Sequence, residues 1–245
     1  MATADLITQL KQDFDDVYEA GKTAGGGSGD YEQGYEDGKN SVVDYLQYVT
    51  LLNGVRRDLI SEKDITLNLL NATTINNLFN TSSATVDATN YNVEHITVNC
   101  PNTLLQVGGM FFANPADTVL KRVTLNFDTS NATSAVNFFR GCQALEVIDG
   151  TPLDFSSVTT ASGLNMFNQC SALKEVRFAE NSIKYNFVVS YFSDLSADTI
   201  QSIIDGLVDL TGGTAQTLTL HATVGGKLTD EQKATITAKN WELVY

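Results

Sequence analysis

The chain has 245 residues, of which 42% are hydrophobic, and its 29 acidic against 15 basic side chains leave a formal net charge of -14. This length and apolar share suit one elongated domain with a short appendage, or two small domains, with a core over most of the chain. The charge weighs against nucleic acid and anionic membrane surfaces as partners, because its field repels phosphate, although an acidic surface also serves plain solubility.

The start, MATADLITQLKQDFDD, shows no basic n-region, no continuous apolar stretch and no small-residue cleavage site, so ordinary secretion is not expected. No run of about 18 apolar residues follows, so no membrane-spanning helix is expected and the chain reads as made in a cytoplasm. Residues 1–24 are predicted to form an amphipathic helix. Its apolar positions Ile7, Leu10, Phe14 and Val17 step by three or four, which makes them the candidate oligomerisation or attachment stripe.

Residues 25–29, Gly-Gly-Gly-Ser-Gly, read as a linker because they have almost no side chain to bury. A second helix is predicted over 30–56, where Tyr31, Tyr35, Val42, Tyr45 and Val49 keep helical spacing. The two helices can fold on each other, dock on the remaining chain, or pair with other copies in a homo-oligomer.

Residues 57–195 carry a degenerate repeat. Aligning 137–159 with 165–187 superposes Phe139 on Phe167, Cys142 on Cys170, Leu145 on Leu173 and Ile148 on Val176, always 28 residues apart. An earlier copy at 109–130 holds Phe111, Leu120, Val123 and Leu125, a weaker one at 77–100 holds Phe79, Val93, Ile96 and Val98, and a truncated one begins at Tyr191-Phe192. Each unit has a turn or short helix with an aromatic, then a leucine, then an alternating strand, and one apolar face that only a neighbouring unit can cover. The expected fold is an α/β repeat solenoid, leucine-rich-repeat-like, with degenerate units of about 25–28 residues, preceded by N-terminal helices.

Cys100, Cys142 and Cys170 make an odd count and read as core residues. The aligned pair Cys142 and Cys170 fits buried free thiols, with a bridge between stacked units as the alternative. Residues 196–245 read as a C-terminal cap. A helix N-capped by Ser196 and ending near Gly212-Gly213 precedes an alternating strand that includes His221, a helix N-capped by Thr229 with Gln232 in capping-box position, and the final strand WELVY.

The units "MFNQCSALKEVRF" and "FFRGCQALEVIDGTPLDFSSVT" resemble the BspA-type leucine-rich repeats of bacterial surface antigens and of many phage and prophage proteins. The closing segment from "LSADTIQSIIDG" to "KNWELVY" is similar to the C-terminal cap of the phage-borne branch, and "YEQGYEDGKNSVVDY" to the lead-in that precedes its repeats. This resemblance implies surface recognition. With no export signal in sight it implies a virion fibre or host-attachment component, rather than a bacterial adhesin.

The remaining residues offer little chemistry. Lys22-Thr23 mimics the end of a phosphate-binding loop, but Asp16 stands where its glycine belongs. Of the two histidines, His95 and His221, both read as exposed strand residues, and no serine or cysteine has a nucleophile's setting. Asp149 and Asp154 are the only carboxylates worth considering for catalysis, and both fit turn hydrogen bonding. No catalytic residue, metal ligand or cofactor site is predicted, and the chain is expected not to be an enzyme.

The candidate ligand face is the exposed row Lys121, Arg122, Thr124, Glu146, Asp149, Lys174, Glu175 and Arg177, for a host-surface protein or glycan. The competing readings are a structural decoration protein of a capsid or tail, and a bacterial adhesin or cytoplasmic interaction module.

Overall fold

The computed structural model describes residues 63–69, 79, 92–101, 106–113, 117–160 and 164–245, all within the unit Gly54–Tyr245. The expected helices over 1–24 and 30–56, the linker 25–29 and the stripe Ile7, Leu10, Phe14 and Val17 lie outside the described residues.

Four short alternating segments become strands: β1 (Asp64–Asn68), β2 (His95–Asn99), β3 (Arg122–Asn126) and β4 (Val147–Gly150). They pair in parallel and in chain order, β1-β2-β3-β4. The register sets Ile65 beside Ile96, Ile96 beside Val123 and Val123 beside Ile148. Side chains of a strand alternate between faces, so one in-register residue type after another lines each face. Ile96, Val98, Val123, Leu125 and Ile148 are buried on the inner face.

Behind the strands runs an aromatic column. Phe79 stacks on Phe111 with ring centroids 5.2 Å apart, Phe111 on Phe139 at 5.3 Å, and Phe139 on Phe167 at 5.6 Å, with interplanar angles of 11°, 4° and 3°. Phe192 closes the column edge-on to Phe167. Backbone bonds fix the same pitch: Phe79 N–H donates to the Met110 carbonyl, Phe111 to Phe138 and Phe139 to Met166. All four stacked phenylalanines are fully buried. Burial of each contributes about 1.5–3 kcal/mol, and an aromatic pair adds about 0.5–1.5 kcal/mol.

The cysteines occupy a matching column. Cys142 Sγ donates to the Phe111 carbonyl at 3.2 Å and Cys170 Sγ to the Phe139 carbonyl at 3.0 Å, so each thiol ties its unit to the phenylalanine of the unit before. All three cysteines are free and buried. In the preceding unit Asp117 bridges Cys142 in parallel, is itself buried, and accepts from the Val119 and Leu120 N–H groups. Gly141 shows how tightly the units meet: at φ +86 a Cβ there would lie 2.0 Å from the Ala113 carbonyl oxygen.

After β4 the ladder continues only as isolated parallel bridges, Val147 to Glu175 and Leu153 to Phe178, where the alternation of 173–178 predicts a full strand. Between the two bridges the preceding chain turns out of the ladder, Gly150 taking φ +93 and Thr151 N–H donating to the Leu125 carbonyl at 2.8 Å; the far edge of 173–178 is covered by α1 (Ala197–Gly206). Its leading residue Ser196 donates N–H to the Lys174 carbonyl at 3.0 Å, Thr199 Oγ1 accepts from Val176 N–H at 3.1 Å and Ser202 Oγ accepts from Phe178 N–H at 2.8 Å. Groups on the helix therefore take the partner role that another strand would fill, which covers an edge otherwise open to pairing with any exposed strand.

A second parallel sheet follows, β5 (Phe187–Val189), β6 (Gln216–Leu220) and β7 (Trp241–Val244), in that order. Helix α1 separates β5 from β6, and two further helices, α2 (Ala222–Gly225) and α3 (Asp230–Ala238), separate β6 from β7. Thr229 and Gln232 form the reciprocal capping box of α3.

Two expectations for this region are corrected. Helix α1 stops at Gly206, well before Gly212-Gly213, because Ile183 N–H donates to the Gly206 carbonyl and Val208 N–H to the Ile183 carbonyl, which pulls the chain into a bridge. The carbonyls of Ile204 and Leu207 are taken by Lys239 Nζ at 2.9 and 2.7 Å. His221 is not a strand residue; it is the N-cap of α2, its Nδ1 accepting from Thr223 N–H at 3.2 Å.

Phe139→Ala removes the ring on which Phe111, Phe138 and Phe167 stack and should cost about 3–5 kcal/mol, read as a lower urea midpoint at unchanged slope. Thr199→Val with Ser202→Ala keeps the shape of α1 but leaves two edge N–H groups without acceptors. The expected loss is about 1–3 kcal/mol per group in the same measurement.

Candidate functional site

The outer face of the first sheet is built from the residues between the core positions. Register places Asp64, His95 and Arg122 in one column, Thr66, Thr97, Thr124 and Asp149 in a second, and Asn99 beside Asn126 in a third. Side-chain bonds run between rungs. Asp64 and His95 Nδ1 are paired, Arg122 Nη1 donates to Asp149 Oδ2 at 2.6 Å, Thr124 Oγ1 donates to Asp149 Oδ1 at 2.5 Å, and Asn126 Nδ2 donates to Asn99 Oδ1 at 2.7 Å. The Arg122 and Asp149 side chains remain 49% and 38% exposed, so this network is open to a ligand.

Just before each strand lies a different column, of alternating charge. Lys63 pairs with Glu94 at 2.6 Å, Glu94 with Lys121 at 2.6 Å, and Glu146 with Lys174 at 2.9 Å, while the Lys121 charge also acts on Glu146. Lys174 in turn feels Asp194, which pairs with Lys227 at 3.1 Å. The backbone repeats the pattern: the Lys63, Glu94, Lys121 and Glu146 carbonyls each accept two consecutive N–H groups from the next unit. Hydrogen bonds from Lys121 and Lys63 hold Glu94 down at about 2, and the Lys174 bond lowers Glu146. The Glu94 bond raises Lys63, and the Glu146 bond raises Lys174.

The structure thus separates the eight residues of the expected ligand face into two groups. Arg122, Thr124, Asp149, Glu175 and Arg177 stand on the outer face, Arg122 and Thr124 bonded to Asp149, whereas Lys121, Glu146 and Lys174 belong to the charge column. At the end of the open face, where α1 crosses the ladder, a depression of about 330 Å³ is bounded by Arg122, Asp149, Glu175, Arg177, Ser196 and Asp198. Among the described residues, Glu175, Arg177 and Asp198 have no side-chain hydrogen bond or ion pair. Gly150, also in its wall, sits at φ +93, where a Cβ would come 2.4 Å from the Leu125 carbonyl oxygen.

Sequence reasoning missed Ser196 and Asp198, because the alignment places them in the cap and only the fold returns them to the repeat face. It also missed Lys63 and Glu94, although a charged residue directly before each strand, changing sign from unit to unit, was a readable signal.

A second depression, of about 320 Å³, lies beside the aromatic column, with Gln106, Phe112, Ser134 and Asn137 in its wall. The Arg140 guanidinium stands 5.2 Å from the centre of the Phe112 ring.

The titratable groups singled out from the sequence are separately employed. Asp154 Oδ1 accepts from Ser156 N–H at 2.9 Å, and Asp149 is held by Arg122 and Thr124. Burial pushes the Cys170 thiol up to about 12, so it stays protonated. Among the described residues no group of three or more His, Cys, Asp and Glu side chains is placed to hold a metal ion, and no helix is long and apolar enough to cross a membrane. What the arrangement does offer is fixed donors and acceptors at strand spacing. No family model, no curated protein and no solved structure matches the chain.

The charge column carries a pH dependence of definite sign. Glu94 and Glu146 are held below their ordinary value of 4.5 in the folded chain, so their stabilisation is complete above that pH and lost as pH falls toward the folded value, about 2 for Glu94. Urea midpoints measured across this window should fall on acidification, and Glu94→Gln should flatten the fall while lowering the midpoint at neutral pH.

Proposed function

We propose that the chain is a non-enzymatic recognition protein, a leucine-rich-repeat-like solenoid that presents the outer face of its parallel ladder to a host-surface protein or glycan. The observation that carries this reading is the depression beside α1, where Glu175, Arg177 and Asp198 stand unpaired next to the fixed Arg122–Asp149 pair. A wall of polar side chains held in register costs a ligand little reorganisation, and unpaired donors and acceptors supply its orientation.

The in-register parallel pairing of successive units and the aromatic column support the solenoid. The resemblance of the repeat units and of the closing segment to the phage-borne branch of BspA-type repeats supports a setting in a virion, as a fibre or host-attachment component. In that setting the stripe Ile7, Leu10, Phe14 and Val17 would mount the chain on other virion proteins or on copies of itself, and display in several copies would add avidity. The rival reading, a structural decoration protein of the particle, draws on the same stacked core but gives the unpaired side chains no task.

The full-length chain, fluorescently labelled, should bind host cells, and Arg177→Ala with Asp149→Ala should weaken that binding by about ten-fold or more. Binding to virions with no binding to cells, or cell binding indifferent to both substitutions, would replace recognition by decoration.

A further inference from the structure

We infer that the depression beside α1 takes an uncharged oligosaccharide. This rests on the recognition reading above and narrows its ligand to one chemical class.

Two guanidinium groups, Arg122 and Arg177, face three carboxylates, Asp149, Glu175 and Asp198. Arg122 and Asp149 already neutralise each other at 2.6 Å, which leaves one unpaired cation among two unpaired anions. A strongly anionic ligand meets Glu175, Asp198 and the field of a chain at -14. A cationic ligand meets the Arg177 guanidinium in the same wall, so part of what it gains from Glu175 and Asp198 is lost to repulsion.

An apolar ligand is excluded on different grounds: the aliphatic residues in the wall, Ile148 and Val176, are both turned into the core, 3% and 1% exposed. Burying an alkyl or aromatic group here would strip water from charged groups and give nothing back.

Sugar hydroxyls have the complementary property. Each is a donor and an acceptor at once, so a run of them can give to Glu175 and Asp198 and receive from Arg177 without carrying charge into the site. Hydrogen bonds to ionised groups are also the stronger kind, and discriminate sharply against a ligand that lacks the hydroxyl. The lining side chains come from β3, β4 and the 175–177 segment, on rungs about 4.8 Å apart, and from α1 beyond them, so the site spans more than a single ring.

The class is tested on host cells with the labelled full-length chain. Periodate, which cleaves vicinal diols, should abolish binding, whereas protease treatment of the cells should leave it. Raising salt from about 0.05 to about 0.5 M should change affinity less than two-fold, since no net charge is exchanged. Arg177→Ala and Asp198→Asn should each weaken binding about ten-fold, with thermal unfolding unchanged.

Binding that survives periodate and disappears with protease would overturn the saccharide while leaving recognition in place, with a protein as ligand. Binding lost with salt would likewise overturn it, in favour of a charged ligand. Failure to bind untreated cells would remove the recognition reading itself, and the saccharide with it.

Discussion

Every other feature of the molecule depends on one constraint: the carbonyls of each unit accept the N–H groups of the next at fixed register. The double acceptance at Lys63, Glu94, Lys121 and Glu146 shows it most plainly. Once that pitch is set, a residue type at a given place in one unit meets its counterpart in the next. Interior, outer face and charged border then follow as columns. Phe111, Phe139 and Phe167 stack because their backbones are bonded at this pitch, and the stacking in turn makes any slip expensive.

The columns divide the labour among themselves. Aromatic and aliphatic columns supply the burial, and the thiols of Cys142 and Cys170 donate to buried carbonyls of the preceding unit. The Lys and Glu column contributes less to total stability, since exposed pairs are screened and cost side-chain entropy. It does penalise a wrong register, because sliding by one unit sets like charges against each other. Polar columns on the outer face face neither demand, which is why unpaired groups can survive there.

The repeat interior was legible in the sequence because the period governs it. Alignment places Phe139 against Phe167, and Ser196, Thr229 and Gln232 take cap positions that local chemistry specifies. What was not legible depends on contacts between distant units. β1 lacks an aromatic unit in the alignment, yet Ile65 and Leu67 pair with β2. Asp117 takes a place that the neighbouring units give to cysteine, and α1 ends early because Ile183, some twenty residues upstream, competes for its backbone. At the face, Arg122, Thr124 and Asp149 bond one another while Lys121, Glu146 and Lys174 pair along the border, ties between units that no single unit's sequence shows.

The charged border sets an arithmetic for how such a molecule can lengthen. Lys63, Glu94, Lys121, Glu146 and Lys174 change sign at every step, so duplicating a single unit would place two lysines or two glutamates in succession. Duplicating two together preserves the order. Among the described residues the hydrogen bonds of the cap reach no further back than Lys174, so it is indifferent to how many pairs precede that unit. Growth by even numbers is thus written into the edge of the sheet, and with it the reach of the face that the sheet displays.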